Sequence, residues 1–290
     1  MNYSMDKLFE SVKSKGHVCV GLDTAAEYVP HRDKHPNDAA AVLAFNKEVI
    51  DATFDVAACY KVQIAYYEEM GLVGLYTYSQ TLKYIRSKNC LAIADIKRGD
   101  IADTAIRYAK AHFSGDFSAD FVTLSPYMGM DSIEPWIKEA QGAAQGAAQG
   151  AGAFVLMRTS NAGMKDFQYL QIGSDRVYNI VGDKLTELAK NNRANCGYGI
   201  FGAVVGCTQR EEAALIREKY PDLFFLIPGY GAQGGGADDA ALLLREGNGG
   251  VVNASRSIIT AWKSSQVSAG EAARDAVIKM RDEILGAVNK

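Results

Sequence analysis

Asp95 and Lys97 have the types and the spacing to do chemistry together. They stand two apart in the apolar run Leu91-Ala-Ile-Ala-Asp-Ile-Lys97, and Asp100 follows just beyond. Residues two apart on a strand project from the same face, so this carboxylate and this ammonium share a side with Ile93 and oppose Ile96. A second lysine, Lys61, lies near the end of another apolar run, and Asp23 closes a third. Buried singly, such charges carry a large desolvation penalty, whereas alternating Lys and Asp side chains satisfy one another. A lone Asp-x-Lys reads equally well as a structural ion pair. With Lys61 and Asp100 added, the better reading is functional.

A second chemistry belongs to Gly229-Tyr-Gly-Ala-Gln-Gly-Gly-Gly236, where bare backbone N–H groups ahead of helical sequence can present themselves to an anion. Arg256, at the end of the last apolar run, supplies a guanidinium fork for the same purpose. The formal net charge of -3 gives no general hold on nucleic acid or anionic membranes, so an anionic ligand must be held locally. His17, His31, His35 and His112 fall at no metal-ligand spacing, and no metal site is expected. Cys19, Cys59, Cys90, Cys196 and Cys207 are scattered and odd in number, which argues against a disulfide framework or a metal knuckle. The N-terminus has no basic and apolar signal pattern, and no run is long and apolar enough to span a bilayer. A cytoplasmic protein is expected.

The elements that must position these residues repeat along the chain. Eight short apolar runs rich in β-branched residues are expected as strands: 17–23, 57–63, 91–97, 121–126, 153–159, 200–207, 223–229 and 250–256. Several are apolar on both faces, as parallel strands covered on both sides require. Helical spacing is found over 38–53, 101–112, 177–191, 209–219, 237–245 and 268–288. Eight β/α units in 290 residues, 48% of them hydrophobic, predict a single-domain (β/α)8 barrel, a TIM barrel, over 1–290. A doubly wound open sheet is the competing architecture. The repeat over 141–152, Gln-Gly-Ala-Ala in character, is expected to extend a helix or form a flexible insertion. Tyr66, Tyr67 and the tyrosines from Tyr76 to Tyr84 are expected in core packing or a subunit contact.

In a barrel the strand C-termini and the loops after them build the site, and here those ends are charged. Taken in order, the segments match a known pattern. Asp95-Ile-Lys-Arg-Gly-Asp-Ile101 resembles the Asp-x-Lys-x-x-Asp-Ile segment of orotidine 5'-phosphate decarboxylases. Gly21-Leu-Asp23, Tyr60-Lys-Val-Gln63, Arg158-Thr-Ser-Asn161, Pro228-Gly-Tyr-Gly-Ala-Gln233 and Asn253-Ala-Ser-Arg256 are similar to the longer subgroup of that family. The resemblance runs from the first strand to the eighth, and only the 141–152 repeat has no counterpart in it.

The resemblance implies loss of carbon dioxide from orotidine 5'-phosphate to give uridine 5'-phosphate, the last step of de novo UMP biosynthesis, without metal or organic cofactor. It assigns Lys97 to stabilising the C6 carbanion and protonating it, with Asp95 near the substrate carboxylate and Lys61 and Asp100 completing the array. It also implies that Asp23 and Lys61 contact the ribose, Ser160 the pyrimidine, and Gln233 and Arg256 the phosphate. Asp100, Ile101 and Thr104 would serve the neighbouring site of a homodimer. The alternative within reach of the same Asp-x-Lys-x-x-Asp core is a metal-dependent sugar-phosphate decarboxylase or aldol-type synthase, which wants an acidic ligand on strand 2, where this chain has Lys61. A catalytically silent nucleotide-binding barrel is the third reading, poorly served by a costly charge array.

Overall fold

The computed structural model describes residues 3–145, 150–231 and 234–290. Eight parallel strands close on themselves: β1 (Val18–Gly21), β2 (Cys59–Gln63), β3 (Ala92–Arg98), β4 (Phe121–Leu124), β5 (Gly152–Arg158), β6 (Phe201–Val205), β7 (Phe225–Ile227) and β8 (Gly250–Ala254). Each pairs with its neighbours in sequence, and β1 closes the ring on β8 through Val18 opposite Val252 and Val20 opposite Ala254. This is the (β/α)8 barrel that the repeated units predict, and the open sheet is excluded by the closure.

Every expected strand is present, but most stop one or two residues short at the C-terminal end. The residues left over include Asp23 and Pro228, which belong to the loops that carry the polar groups, and Arg256, which opens the short helix Arg256–Ile259. Inside the barrel the side chains fill the space in contact with one another, as in the Phe121 and Phe154 rings, whose centroids are 5.2 Å apart.

The helices form because their apolar stripes face the strands and their ends are satisfied. Helix Asp38–Thr53 starts on Asn37, whose side chain accepts from the Ala40 amide, and helix Ala269–Val288 starts on a Ser268/Glu271 capping box. These two pack against each other on the outside of the barrel. The helix expected over 237–245 is regular only for Ala237–Ala241. Beyond it the Leu243 and Leu244 amides reach carbonyls three residues back, the tighter spacing that buries both leucines before the glycine-rich turn to β8. Of the 141–152 repeat, residues 141–145 continue helix Glu134–Gln145 and Gly152 opens β5, while 146–149 lie outside the described residues. Tyr67 and Tyr78 are buried, Tyr67 with its hydroxyl bonded to the Leu22 carbonyl, and Tyr76 is exposed.

Candidate active site

At the C-terminal ends of the strands the barrel opens into a cavity of about 570 Å³. That volume falls within the range of small-molecule sites. Asp23, Lys61, Asp95, Lys97, Ser160 and Arg256 all line it. Six residues singled out from the sequence therefore converge on one space, although they come from five different β/α units.

The charges form a connected chain. Lys61 Nζ donates to Asp23 Oδ1 at 2.9 Å and to Asp95 Oδ2 at 2.8 Å, and Lys97 Nζ donates to Asp95 Oδ1 at 2.6 Å. Asp23 is fixed at its other oxygen by Ser255 Oγ at 2.7 Å. Gly21 allows this arrangement, because a Cβ there would lie 1.9 Å from Ser255 Oγ. The order across the barrel mouth is thus Ser255, Asp23, Lys61, Asp95, Lys97.

Burial and charge pull against each other along this chain. Burial alone would make Lys61 easier to deprotonate, but the carboxylates of Asp23 and Asp95 outweigh it and raise its pKa above the ordinary lysine value. Burial likewise pushes the Asp95 carboxyl up, and the ammonium groups of Lys61 and Lys97 outweigh it, holding it well below the ordinary carboxylate range. Both groups are therefore ionised at neutral pH. The Lys97 side chain keeps 46% of its exposure while that of Asp95 keeps 7%, so the array presents one ammonium to the cavity from a buried anchor.

Asp100 stands apart from the array of its own chain. It is half-buried, and its carboxylate accepts a hydrogen bond from the Ile101 amide at 2.8 Å. Ile101 and Thr104 are exposed at the start of helix Ala102–Phe113, and none of the three lines the cavity of its own chain. Gln233 lies outside the described residues. Arg158 is wholly buried and donates to the Gly206 carbonyl, outside the cavity lining. Two participants were missed by sequence reasoning, Thr123 and Ser255. Thr123 Oγ1 donates to Asp95 Oδ1 at 2.8 Å. Its only signal is parity, since it is the one polar residue in Phe-Val-Thr-Leu and two positions from Phe121 on the inner face.

Among the described residues no group of three or more His, Cys, Asp or Glu side chains is placed to hold a metal, and no helix is long and apolar enough to cross a membrane. All five cysteines are free.

The profile of the Orotidine 5'-phosphate decarboxylase / HUMPS family matches residues 16–272. The chain belongs to this family. The orotidine 5'-phosphate decarboxylase of Clostridium kluyveri is 52% identical over 287 residues, covering 97% of each chain. That of Clostridium perfringens is 54% identical over 290 residues, covering 98% of this chain and 99% of the other. Among solved structures, the Leishmania donovani UMP synthase superposes with a TM-score of 0.79 at 31% identity. That match covers 98% of this chain and 57% of the larger protein. The two Clostridium relatives are named for the decarboxylase.

Proposed function

We propose that this chain removes carbon dioxide from orotidine 5'-phosphate to give uridine 5'-phosphate, with Lys97 as the group that stabilises the C6 carbanion and protonates it. The observation that carries the reading is the Asp23–Lys61–Asp95–Lys97 chain at one side of a cavity that Arg256 also lines. Arg256, with Gln233 and the amides after β7, binds the phosphate. Ser160 meets the pyrimidine, and Asp23 and Lys61 meet the ribose.

The C6 carboxylate then lies toward Asp95. Breaking the C6–carboxylate bond leaves its electron pair on C6, and carbon dioxide departs. The Lys97 ammonium, already oriented by Asp95, lowers the energy of that charge and then gives C6 its proton. Solvent returns a proton to Lys97 through its exposed side. No electron acceptor is required, because the pair that leaves the bond ends in the new C6–H bond.

Asp100, Ile101 and Thr104 serve the site of a second copy in a homodimer. The exposure of Ile101 and Thr104 supports this, as does the placement of Asp100 outside the lining of its own chain's cavity. Against a metal-dependent sugar-phosphate reaction stands Lys61, whose ammonium sits between the two carboxylates at the position a divalent cation would need.

The test is to mix purified protein with orotidine 5'-phosphate, with and without EDTA, and follow loss of the orotate chromophore. Turnover insensitive to EDTA is expected. No turnover would overturn the decarboxylase reading, and turnover abolished by EDTA would favour the metal-dependent one.

A further inference from the structure

The reactive lysine stands on irregular backbone. Between β3 and β4 the register shifts: Ala94 is opposite Val122, but Arg98 is opposite Leu124, so four residues of β3 pass two of β4. Such a bulge leaves ladder groups without their ordinary partners. Within it Lys97 has φ 43°, the left-handed region that a residue with a side chain rarely adopts. Backbone of this kind persists where its surroundings fix it, and it concentrates at functional sites.

One side chain does much of that fixing. Thr123 Oγ1 accepts from the Ile96 amide at 3.0 Å and from the Lys97 amide at 2.9 Å, and donates to Asp95 Oδ1 at 2.8 Å. A hydroxyl has two acceptor lone pairs and one proton, so all of its capacity is used. The threonine is 1% exposed, which denies these three partners an easy replacement by water. Asp95 Oδ1 is the same oxygen that holds the Lys97 ammonium. The hydroxyl therefore touches the lysine at both ends, through its backbone amide and through the carboxylate that orients its Nζ.

We propose that Thr123 is a positioning residue that sets where the Lys97 ammonium stands, by bracing the bulge under Lys97 and the Asp95 carboxylate with one hydroxyl. This rests on the decarboxylase reading and goes beyond it. Thr123 lines the cavity, but its hydroxyl is committed to Asp95 and to the Ile96 and Lys97 amides, so it acts through Asp95 and Lys97. Displacing an ammonium from a reacting carbon by even an ångström is enough to slow a preorganised step about 10²-fold.

The experiment is steady-state kinetics of the full chain on orotidine 5'-phosphate for Thr123→Val, Thr123→Ala and Thr123→Ser, with circular dichroism as the check on folding. Valine keeps the shape and loses the hydroxyl; alanine and serine form a second pair that differs only in Oγ. We expect kcat to fall about 10²-fold for Val and Ala with KM moving less than about threefold, and Ser to recover most of the rate. A merely structural threonine would not split the pair this way.

A folded Val or Ala variant that keeps the wild-type kcat overturns the proposal, as does a Ser variant as slow as Ala or a loss confined to KM. Should neither Val nor Ala fold, the hydroxyl serves the fold and not the lysine, and the proposal falls. If wild type leaves orotidine 5'-phosphate untouched, the decarboxylase reading fails with it; if wild type turns over and Val keeps pace, this inference fails alone.

Discussion

Lys97 Nζ lies 2.6 Å from Asp95 Oδ1, and both side chains line the cavity, the lysine far more exposed than the aspartate. The aspartate is buried and the lysine is half exposed. A short contact between a fixed anion and an accessible cation defines the direction in which the ammonium can act.

Removing that ammonium should abolish chemistry and spare the fold. Lys97→Ala is expected to lower turnover of orotidine 5'-phosphate by at least about 10⁴-fold, since it deletes both the charge at C6 and the proton donor. Its circular dichroism and thermal midpoint should stay close to wild type, because the side chain is half exposed. Substantial residual activity would mean that another group protonates C6.

Lys61 should behave in the opposite way. Its loss leaves Asp23 and Asp95 facing each other in a buried site without their shared cation, so Lys61→Ala is expected to destabilise the protein by about 3–5 kcal/mol in urea denaturation. The pH dependence of the pair follows from the directions of its shifts. Asp95 is depressed, so its contribution is present above the unfolded aspartate value near ~4 and is lost as pH falls through the lower native value. Lys61 is raised, so its contribution is present below the unfolded lysine value near ~10.4 and is lost as pH rises through the higher native value. Between those limits neither group titrates in wild type, so the pair's contribution to wild-type stability should be constant, and a slope near neutrality traceable to either residue would contradict the assignment.

How much of this was legible follows from where each signal resides. The eight strands were readable because continuous apolar runs between helical stretches are a property of the local sequence, and helices Asp38–Thr53 and Val177–Asn191 begin and end where their periodicity does. The convergence of Asp23, Lys61 and Asp95 was readable from barrel topology, which brings strand ends together whatever the loops do. Thr123 was not readable. Its task arises from a register shift between two strands, and neither strand records that shift in its own residues. Ser255 lies in the Asn253-Ala-Ser-Arg256 segment with no role legible there, because its bond to Asp23 depends on how closely β8 and β1 approach at Gly21.

Acid should weaken the fold through His112. It is buried between Phe117 and Trp136, and burial, reinforced by the charge of Arg98, lowers it from 6.5 to about 4. The unfolded chain takes up this proton below the ordinary value while the native chain does not, so stability is lost as pH falls between those two values. The loss traceable to this residue is about 3 kcal/mol. Denaturation curves at pH 7 and pH 4.5 should show a smaller difference in His112→Phe than in wild type; equal differences would remove His112 as the cause.

The shared site makes a prediction about mixtures. Lys97→Ala and Asp100→Ala are each expected to be inactive, yet hybrid dimers contain one site in which both residues are native. Co-refolding the two variants should restore part of the wild-type activity. A mixture as inactive as its components would place Asp100 outside the neighbouring site.

The account turns on where Lys97 stands relative to the reacting carbon. The direct measurement is a crystal structure with a uridine 5'-monophosphate analogue that carries an anionic substituent at C6. The expected result is Lys97 Nζ at about 3 Å from that substituent, with the Lys61–Asp95 contact unchanged from 2.8 Å and Arg256 on the phosphate. A bound analogue whose C6 faces away from Lys97, with the ammonium still held on Asp95, would contradict it.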